Sequence, residues 1–407
     1  MSQTPGLPRN RPDTVSFMGV STLGDTGPGV FAETAVSAAL IEAAGLPSYD
    51  HLPHQGITIS EKNRISHLAA LGETGIGCSI KVHELVSNGF VLELNTGTLN
   101  ENLPLHFADF DDTCIATSQA RARVQEDYGN LLSSKGIILP ESTISEILEA
   151  ANGFSRWEED GQMVHHIDAH LLSLSWATNT IVQLRGFAAG DVANHVTDVL
   201  KNMTPLDKGG RKLGGPDFGR EGNRLVSSQT SELVTPDMVK IFMRFIRPEP
   251  FEETIELYRR AQHEKNANTG IFTYGVPAQQ LIKVLTHLIH EKEIHAEKAW
   301  LPQLIFLTKV PKGNFLQAFA DRAQGSSDLG DLSLKVFSCP KITLLDDDPH
   351  HLDSIVEGKL GVTGIRSIRP GTKTTEKMPD WLGNVVDFRQ DLEQTRRRLG
   401  AFLLGNA

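Results

Sequence analysis

Hydrophobic residues follow two different rhythms along this chain. Three short apolar runs each end abruptly on a polar group: Leu105-His106-Phe107-Ala108 on Asp109, Leu304-Ile305-Phe306-Leu307 on Thr308, and Ile342-Thr343-Leu344-Leu345 on Asp346. Unbroken runs of this length, rich in β-favouring residues, predict strands covered on both faces. Phe90-Val91-Leu92-Glu93-Leu94 and the stretch 361–368 read as further strands. Between Ser118 and about Trp300 the spacing turns helical, as in Val124, Tyr128, Leu131 and Leu132. Thr143 and Glu146 form a capping-box pattern ahead of Ile147, Leu148 and Ala151, with Gly153 as the stop. Segments 163–185, 190–202, 236–246, 250–265 and 277–298 share the helical period, as do 350–356 and 387–404 near the C-terminus.

Buried strands alternating with helices predict an α/β fold built on a parallel sheet. The block of helices divides that pattern. The expected organisation is a catalytic core from 101–118 and 300–407, a mainly α-helical cap insertion over 119–299, and an N-terminal accessory region over 1–100 that either flanks the sheet or stands apart.

Candidate chemistry concentrates at the first run. Asp109 and Asp111 are two residues apart, so at a strand end both side chains can turn toward one crevice. Ligands of open α/β sheets gather in such crevices. Two carboxylates there divide the work, one as nucleophile or cation ligand and the other as proton carrier. A plain turn, with Asp and Thr side chains bonded to nearby amides, is the alternative for Asp111-Asp112-Thr113.

The strand followed by Asp109-x-Asp111-x-Thr113, with Thr308 and then Asp346-Asp347-Asp348-Pro349 closing later strands in order, resembles the haloacid dehalogenase (HAD) superfamily. The resemblance implies a Rossmann-like core and a cap, and it assigns roles by position. Asp109 would be the nucleophile that becomes an aspartyl-phosphate. Asp111 would protonate the leaving group and later activate water. Thr308 would bond the transferring phosphoryl oxygens. Asp346 and Asp347 would hold Mg²⁺ with Asp109 and the Asp111 carbonyl, since Mg²⁺ prefers oxygen ligands in an octahedron. Asp348 would cap the next helix, with Pro349 in its first turn. A carboxylate at position 111 favours phosphatase chemistry over dehalogenation. The family's lysine is harder to place. Lys341 begins the strand ending at Asp346, about 16 Å from its carboxyl end at 3.3 Å per residue. Lys335 is the favoured position, and Lys312 stays open.

Composition narrows the partners. With 407 residues, 39% hydrophobic and 22% charged, the chain is long enough for two or three domains and too apolar for wholesale disorder. A net charge of −11 counts against broad binding to nucleic acid or anionic membranes. Three dispersed cysteines, Cys78, Cys114 and Cys339, suit a reducing, cytoplasmic compartment. The polar, proline-containing start does not read as a signal peptide. No apolar run approaches the roughly 20 residues of a membrane span.

Three other features are open to a ligand reading and a plainer one. The glycine-rich basic stretch Asp207–Arg220 could reach a phosphorylated substrate or simply be a surface loop. The pair His166/His170 and the stripe His287/Glu291/His295 have zinc-compatible spacing but also suit packed helix faces. Gly24–Gly29, ahead of an alanine-rich helical run over 30–45, reads as a turn. The expected function is a Mg²⁺-dependent phosphohydrolase acting on a phosphorylated small molecule. A catalytically silent binding protein of the same fold and a nucleic-acid end phosphatase are the alternatives. Substrate identity and oligomeric state are not legible.

Overall fold

Each apolar run forms a strand, and the polar residues that close the runs fall at strand ends. The computed structural model describes residues 61–97, 99–159, 162–165, 167–202, 235–265, 267–325, 327–369, 384–389 and 391–404. In chain order the strands are β1 (Ile80–Leu85), β2 (Gly89–Leu94), β3 (Leu105–Ala108), β4 (Arg156–Glu159), β5 (Gln162–His165), β6 (Asn268–Tyr274), β7 (Leu304–Thr308), β8 (Ile342–Asp346), β9 (Val362–Ile368) and β10 (Val385–Asp387). Two compact units result, one within Arg121–Phe245 and one combining Ser60–Ala120 with Ile246–Ala407.

The second unit holds an eight-stranded sheet in the order β1-β2-β7-β6-β3-β8-β9-β10. From β7 to β10 all neighbours are parallel, while β2 joins β7 and β1 antiparallel. From β3 the chain steps to β6 and β7 on one side, whereas β8, β9 and β10 extend the other. The order therefore reverses between β3 and β8, which opens a crevice outside their carboxyl ends. The β6–β7 and β7–β8 connections run in opposite directions across the sheet. Right-handed crossovers thus put the helix Pro277–His295 on one face and the helices Lys312–Ala320 and Asp328–Ser338 on the other. On the latter face Phe107, Phe272 and Phe306 pack with Phe315, Phe319, Val336 and Leu352 in one buried core. Closing the unit, the helix Leu392–Leu404 packs on the helix Glu252–Lys265.

The first unit is mainly helical. The helices Glu141–Phe154, Ile167–Gln183 and Ala189–Asn202 pack together through Ile147, Ala151, Leu174, Ala177, Val192 and Val196, all buried. Thr178 bonds the Tyr128 hydroxyl at 3.1 Å inside this core.

Several boundaries differ from the sequence reading. Strand β6 lies within the expected cap, so the limits 119–299 run too far and residues from Ile246 onward belong with the sheet. The segment was obscured because Asn268-Thr269-Gly270 carries no apolar signal, and Gly270 is needed where Phe107 presses on the strand (a Cβ would sit 2.4 Å from its ring). Within the accessory region 1–100, β1 and β2 flank the sheet. The Glu141 helix starts directly after Pro140, with no side-chain cap bond, so the box expected at Thr143 and Glu146 lies inside its first turns. Proline, with its fixed φ, sets that start. The glycine cluster 24–29, the helix expected over 30–45 and the basic stretch 207–220 fall outside the described residues.

Candidate active site

Parallel pairing sets the site. Ala108 is level with Leu345, so Asp109 and Asp346 emerge as lateral neighbours on one face of the sheet. The Asp109 amide continues the ladder by donating to Leu345 O at 2.7 Å. Lys312 binds the two side chains together: its Nζ is 2.5 Å from Asp109 Oδ1 and 2.6 Å from Asp346 Oδ2. Lys312 is wholly buried and stands 5.5 Å from the centre of the Phe272 ring. Carboxylate oxygens of Asp109, Asp346 and Asp347 lie within 4.8 Å of one another, the one such metal-competent group among the described residues.

Electrostatics follow from that count. One ammonium faces three carboxylates in a place where water is scarce. Burial pushes the Asp109 carboxyl well above its usual range, and Asp346 and Asp347 add to the rise while Lys312 opposes it. Asp347 is pushed up to about 7 by burial and by Asp346 and Asp112. Burial disfavours the charge on Lys312, but Asp109 and Asp346 more than compensate and raise it. A hard divalent cation suits this donor set, because all-oxygen carboxylate ligands are what Mg²⁺ takes and the cluster has negative charge in excess.

Lys312 is placed by three local devices. Pro311 precedes the helix, and the Thr308 hydroxyl accepts from the Val310 amide at 3.1 Å, bending the chain out of β7. Gly313 then lets the helix Lys312–Ala320 touch the helix Pro349–Gly358, its amide donating to Ser354 Oγ at 2.9 Å. Asp348 caps that second helix by accepting from the His350 amide, as the sequence pattern predicts. The expectation that Lys335 serves the site is overturned: it is exposed near the end of the helix Asp328–Ser338. Among the described residues between Thr308 and Asp346 the chain forms two α-helices and a short 3₁₀ turn but no strand, so the first helix start is the one at the crevice.

Thr308 is not brought to Asp109. Strand β6 intervenes, which puts β7 about 10 Å from β3 at the usual strand spacing. Its hydroxyl is spent on Val310, donating to the carbonyl at 2.7 Å. The strand beside β3 ends instead in Thr273-Tyr274, and the Thr273 hydroxyl donates to Gln280 Oε1 at 3.1 Å.

Asp111 acquires partners that the sequence did not predict. Its carboxylate is outside the three-carboxylate group and turns to Lys283, whose Nζ lies 2.7 and 2.8 Å from its two oxygens. Thr117 Oγ1 at 2.5 Å and Gln280 Nε2 at 2.9 Å complete the shell. Burial by itself would raise this carboxyl, but the Lys283 charge and these hydrogen bonds outweigh it and hold it below the usual range. Neither Lys283 nor Gln280 was foreseen. The available signal was two long polar side chains, Gln280 and Lys283, set among Leu281, Ile282, Val284 and Leu285, where each is nine-tenths buried or more.

The histidine patterns resolve as packing. His287 meets the Phe110 ring edge-on at 5.7 Å, and burial lowers it to about 4. Glu291 is held by Arg259 at 2.7 Å and by the Trp300 amide at 3.1 Å. His170 packs against Phe242 and Phe245, while His166 lies outside the described residues.

Fold and site together define an α/β protein with a lysine-bridged carboxylate cluster at the point where its strand order reverses. No family model matches the chain, and no curated protein matches it. Among solved structures it is similar to YfnB of Bacillus subtilis, a protein assigned as a HAD-hydrolase and bound to magnesium, at 13% identity and a TM-score of 0.33 over 73% of this chain and 99% of that one. No described helix is long and apolar enough to cross a membrane.

Proposed function

We propose that this chain is a Mg²⁺-dependent phosphohydrolase that works through an aspartyl-phosphate on Asp109 and takes a phosphorylated small molecule. The observation that carries the reading is the buried Asp109–Lys312–Asp346 bridge, with Asp347 within reach, at the carboxyl ends of β3 and β8. Asp109, Asp346 and Asp347 would hold Mg²⁺, which cancels the repulsion between carboxylate and phosphate when bound.

The rest is done by the chain's own groups. An Asp109 carboxylate oxygen attacks phosphorus, the bond to the leaving oxygen breaks, and that oxygen takes its proton from solvent because Asp111 is held ionised. The Lys312 ammonium, 2.5 Å from Asp109 Oδ1, would bond the transferring oxygens, and its burial would strengthen that attraction. Water then attacks the phosphorus of the aspartyl-phosphate, the Asp109–phosphorus bond breaks, and inorganic phosphate leaves. Asp111, kept ionised by Lys283, is suited to take the water proton in this second half.

The test is phosphate release from p-nitrophenyl phosphate and a panel of phosphorylated metabolites, with Mg²⁺ and with chelator. Asp109→Asn keeps the shape and removes the nucleophile, and it should lower turnover by about a thousandfold or more. Release that the variant retains would remove Asp109 from the mechanism. A folded wild type that releases no phosphate from any substrate would point to a binding role.

A further inference from the structure

Strand β6 is buried along its whole length until its last residue, Tyr274, which is 46% exposed. Among the described residues it is the one exposed aromatic of this size. Register places it level with Thr308 on β7, two residues beyond Phe272 and on the same face of the sheet. That is the face on which Lys312 stands over Phe272. The Tyr274 carbonyl accepts from Gln280, which also binds Asp111.

Among the described residues, the ring that Tyr274 meets is that of His351. The two centroids are 4.7 Å apart, at an interplanar angle of 53°. His351 lies in the first turn after β8, five residues beyond Asp346, and Lys312 and Asp346 both act on its charge. Strands β6 and β8 flank β3 and stand about 10 Å apart. The two rings therefore meet beyond the carboxyl end of β3, the end at which Asp109 leaves the sheet. His351 is nearly buried, and its Nδ1 makes no hydrogen bond among the described residues, so stacking and packing hold the ring. With His351 against it, Tyr274 still leaves close to half of its surface exposed.

We propose that Tyr274, backed by His351, is a platform for a flat leaving group, so that the site prefers phosphate esters of aromatic or heteroaromatic alcohols over those of flexible aliphatic ones. The inference rests on the phosphohydrolase reading for the position of the phosphate. With the phosphoryl group at Asp109, the leaving oxygen must point toward solvent, since Lys312, Asp346 and Phe272 are all buried about that carboxylate. An exposed ring at that opening attracts a planar group by offset or edge contact, and sequence-tolerant stacking of this sort suits any π-face. Serine or alanine would serve equally well if this strand end only had to be soluble.

The test compares p-nitrophenyl phosphate with glycerol 2-phosphate, using the full chain with Mg²⁺. In Tyr274→Ala the ratio of kcat/KM for the aryl ester over the glyceryl ester should fall by about five- to tenfold, mostly through KM. Tyr274→Phe should keep the ratio within about twofold, and Tyr274→Leu, apolar but not flat, should behave like alanine. The same four chains, each carrying Asp109→Asn, are then titrated with both esters by calorimetry, so that binding is read without turnover. An unchanged ratio in the alanine variant, equal losses in the phenylalanine and alanine variants, or an Asp109→Asn chain that binds neither ester or binds both equally would overturn the inference. Tyr274-dependent binding of the aryl ester by a chain that turns over neither would overturn the hydrolase reading and keep the platform.

Discussion

Gly313 makes the most exacting demand on the fold, because a single methyl there should act on the site through the backbone. It is a helical glycine, and replacing a helical glycine by alanine ordinarily stabilises by about 1 kcal/mol. Here an added Cβ would stand 1.9 Å from Ser354 O and 2.3 Å from its carbonyl carbon. Recovering an ordinary contact near 3.4 Å requires the two helices to part by about 1.5 Å (3.4 minus 1.9). The obstacle is main chain, so no rotamer change relieves it. Overpacking of this kind costs about 1–3 kcal/mol. Lys312 is the preceding residue, so the same movement lengthens its contacts to Asp109 and Asp346, and loosening a buried ion pair adds to the cost. The net effect of Gly313→Ala should be a loss of about 2 kcal/mol, or about 4–8 °C in Tm for a unit of this size. Gly400→Ala is the control, since its Cβ would meet only Leu257 Cδ2 at 3.8 Å, and it should be neutral or slightly stabilising. Thermal unfolding by circular dichroism reads both. If the two variants melt together, the close approach of these helices, and the account of how Lys312 is positioned, are wrong.

Two further outcomes follow from the site. Lys312→Met should remove phosphate release and destabilise by about 3–5 kcal/mol, because it strands buried carboxylates, whereas Lys335→Ala should stay within about 0.5 kcal/mol of wild type with full activity; phosphate-release and melting assays run side by side would decide, and a loss at Lys335 would reverse the assignment. Metal dependence should carry a pH signature. The Asp347 carboxyl, taken from 3.8 to about 7 on folding, keeps a proton that the unfolded chain gives up, so metal-free stability should decline from about pH 4 to pH 7 by up to about 4 kcal/mol and flatten above. Mg²⁺ replaces that proton, so the Tm gap between Mg²⁺ and chelator should widen over the same interval, and a gap independent of pH would separate Asp347 from the metal.

What could be read from the sequence was whatever a local pattern fixes. The runs before Asp109, Thr308 and Asp346 are strands because four consecutive, mostly apolar residues closed by a polar one are too short for a helix and suit a strand covered on both faces. The Asp348-Pro349 pair starts a helix because capping is a matter of adjacent residues. Asp109 and Asp346 meet because both close strands that turn out to be neighbours. The errors share a different cause, since each required knowing which strand lies beside which. Thr308 and Thr273 close similar strands, and only the order β7-β6-β3 separates them. With β6 hidden by its glycine, Thr308 rather than Thr273 reads as the close of the second strand, and Lys335 rather than Lys312 as the lysine beyond it. Lys283 shows the limit most clearly. It lies 172 residues from Asp111, yet the two make the closest charge pair on that side of the site. Its place among apolar neighbours marks it as unusual, but a lysine there reads as a surface residue until the fold supplies the partly buried Asp111 carboxylate opposite. Side-chain chemistry at the crevice was therefore legible one strand at a time, and the partners that set its charge were not.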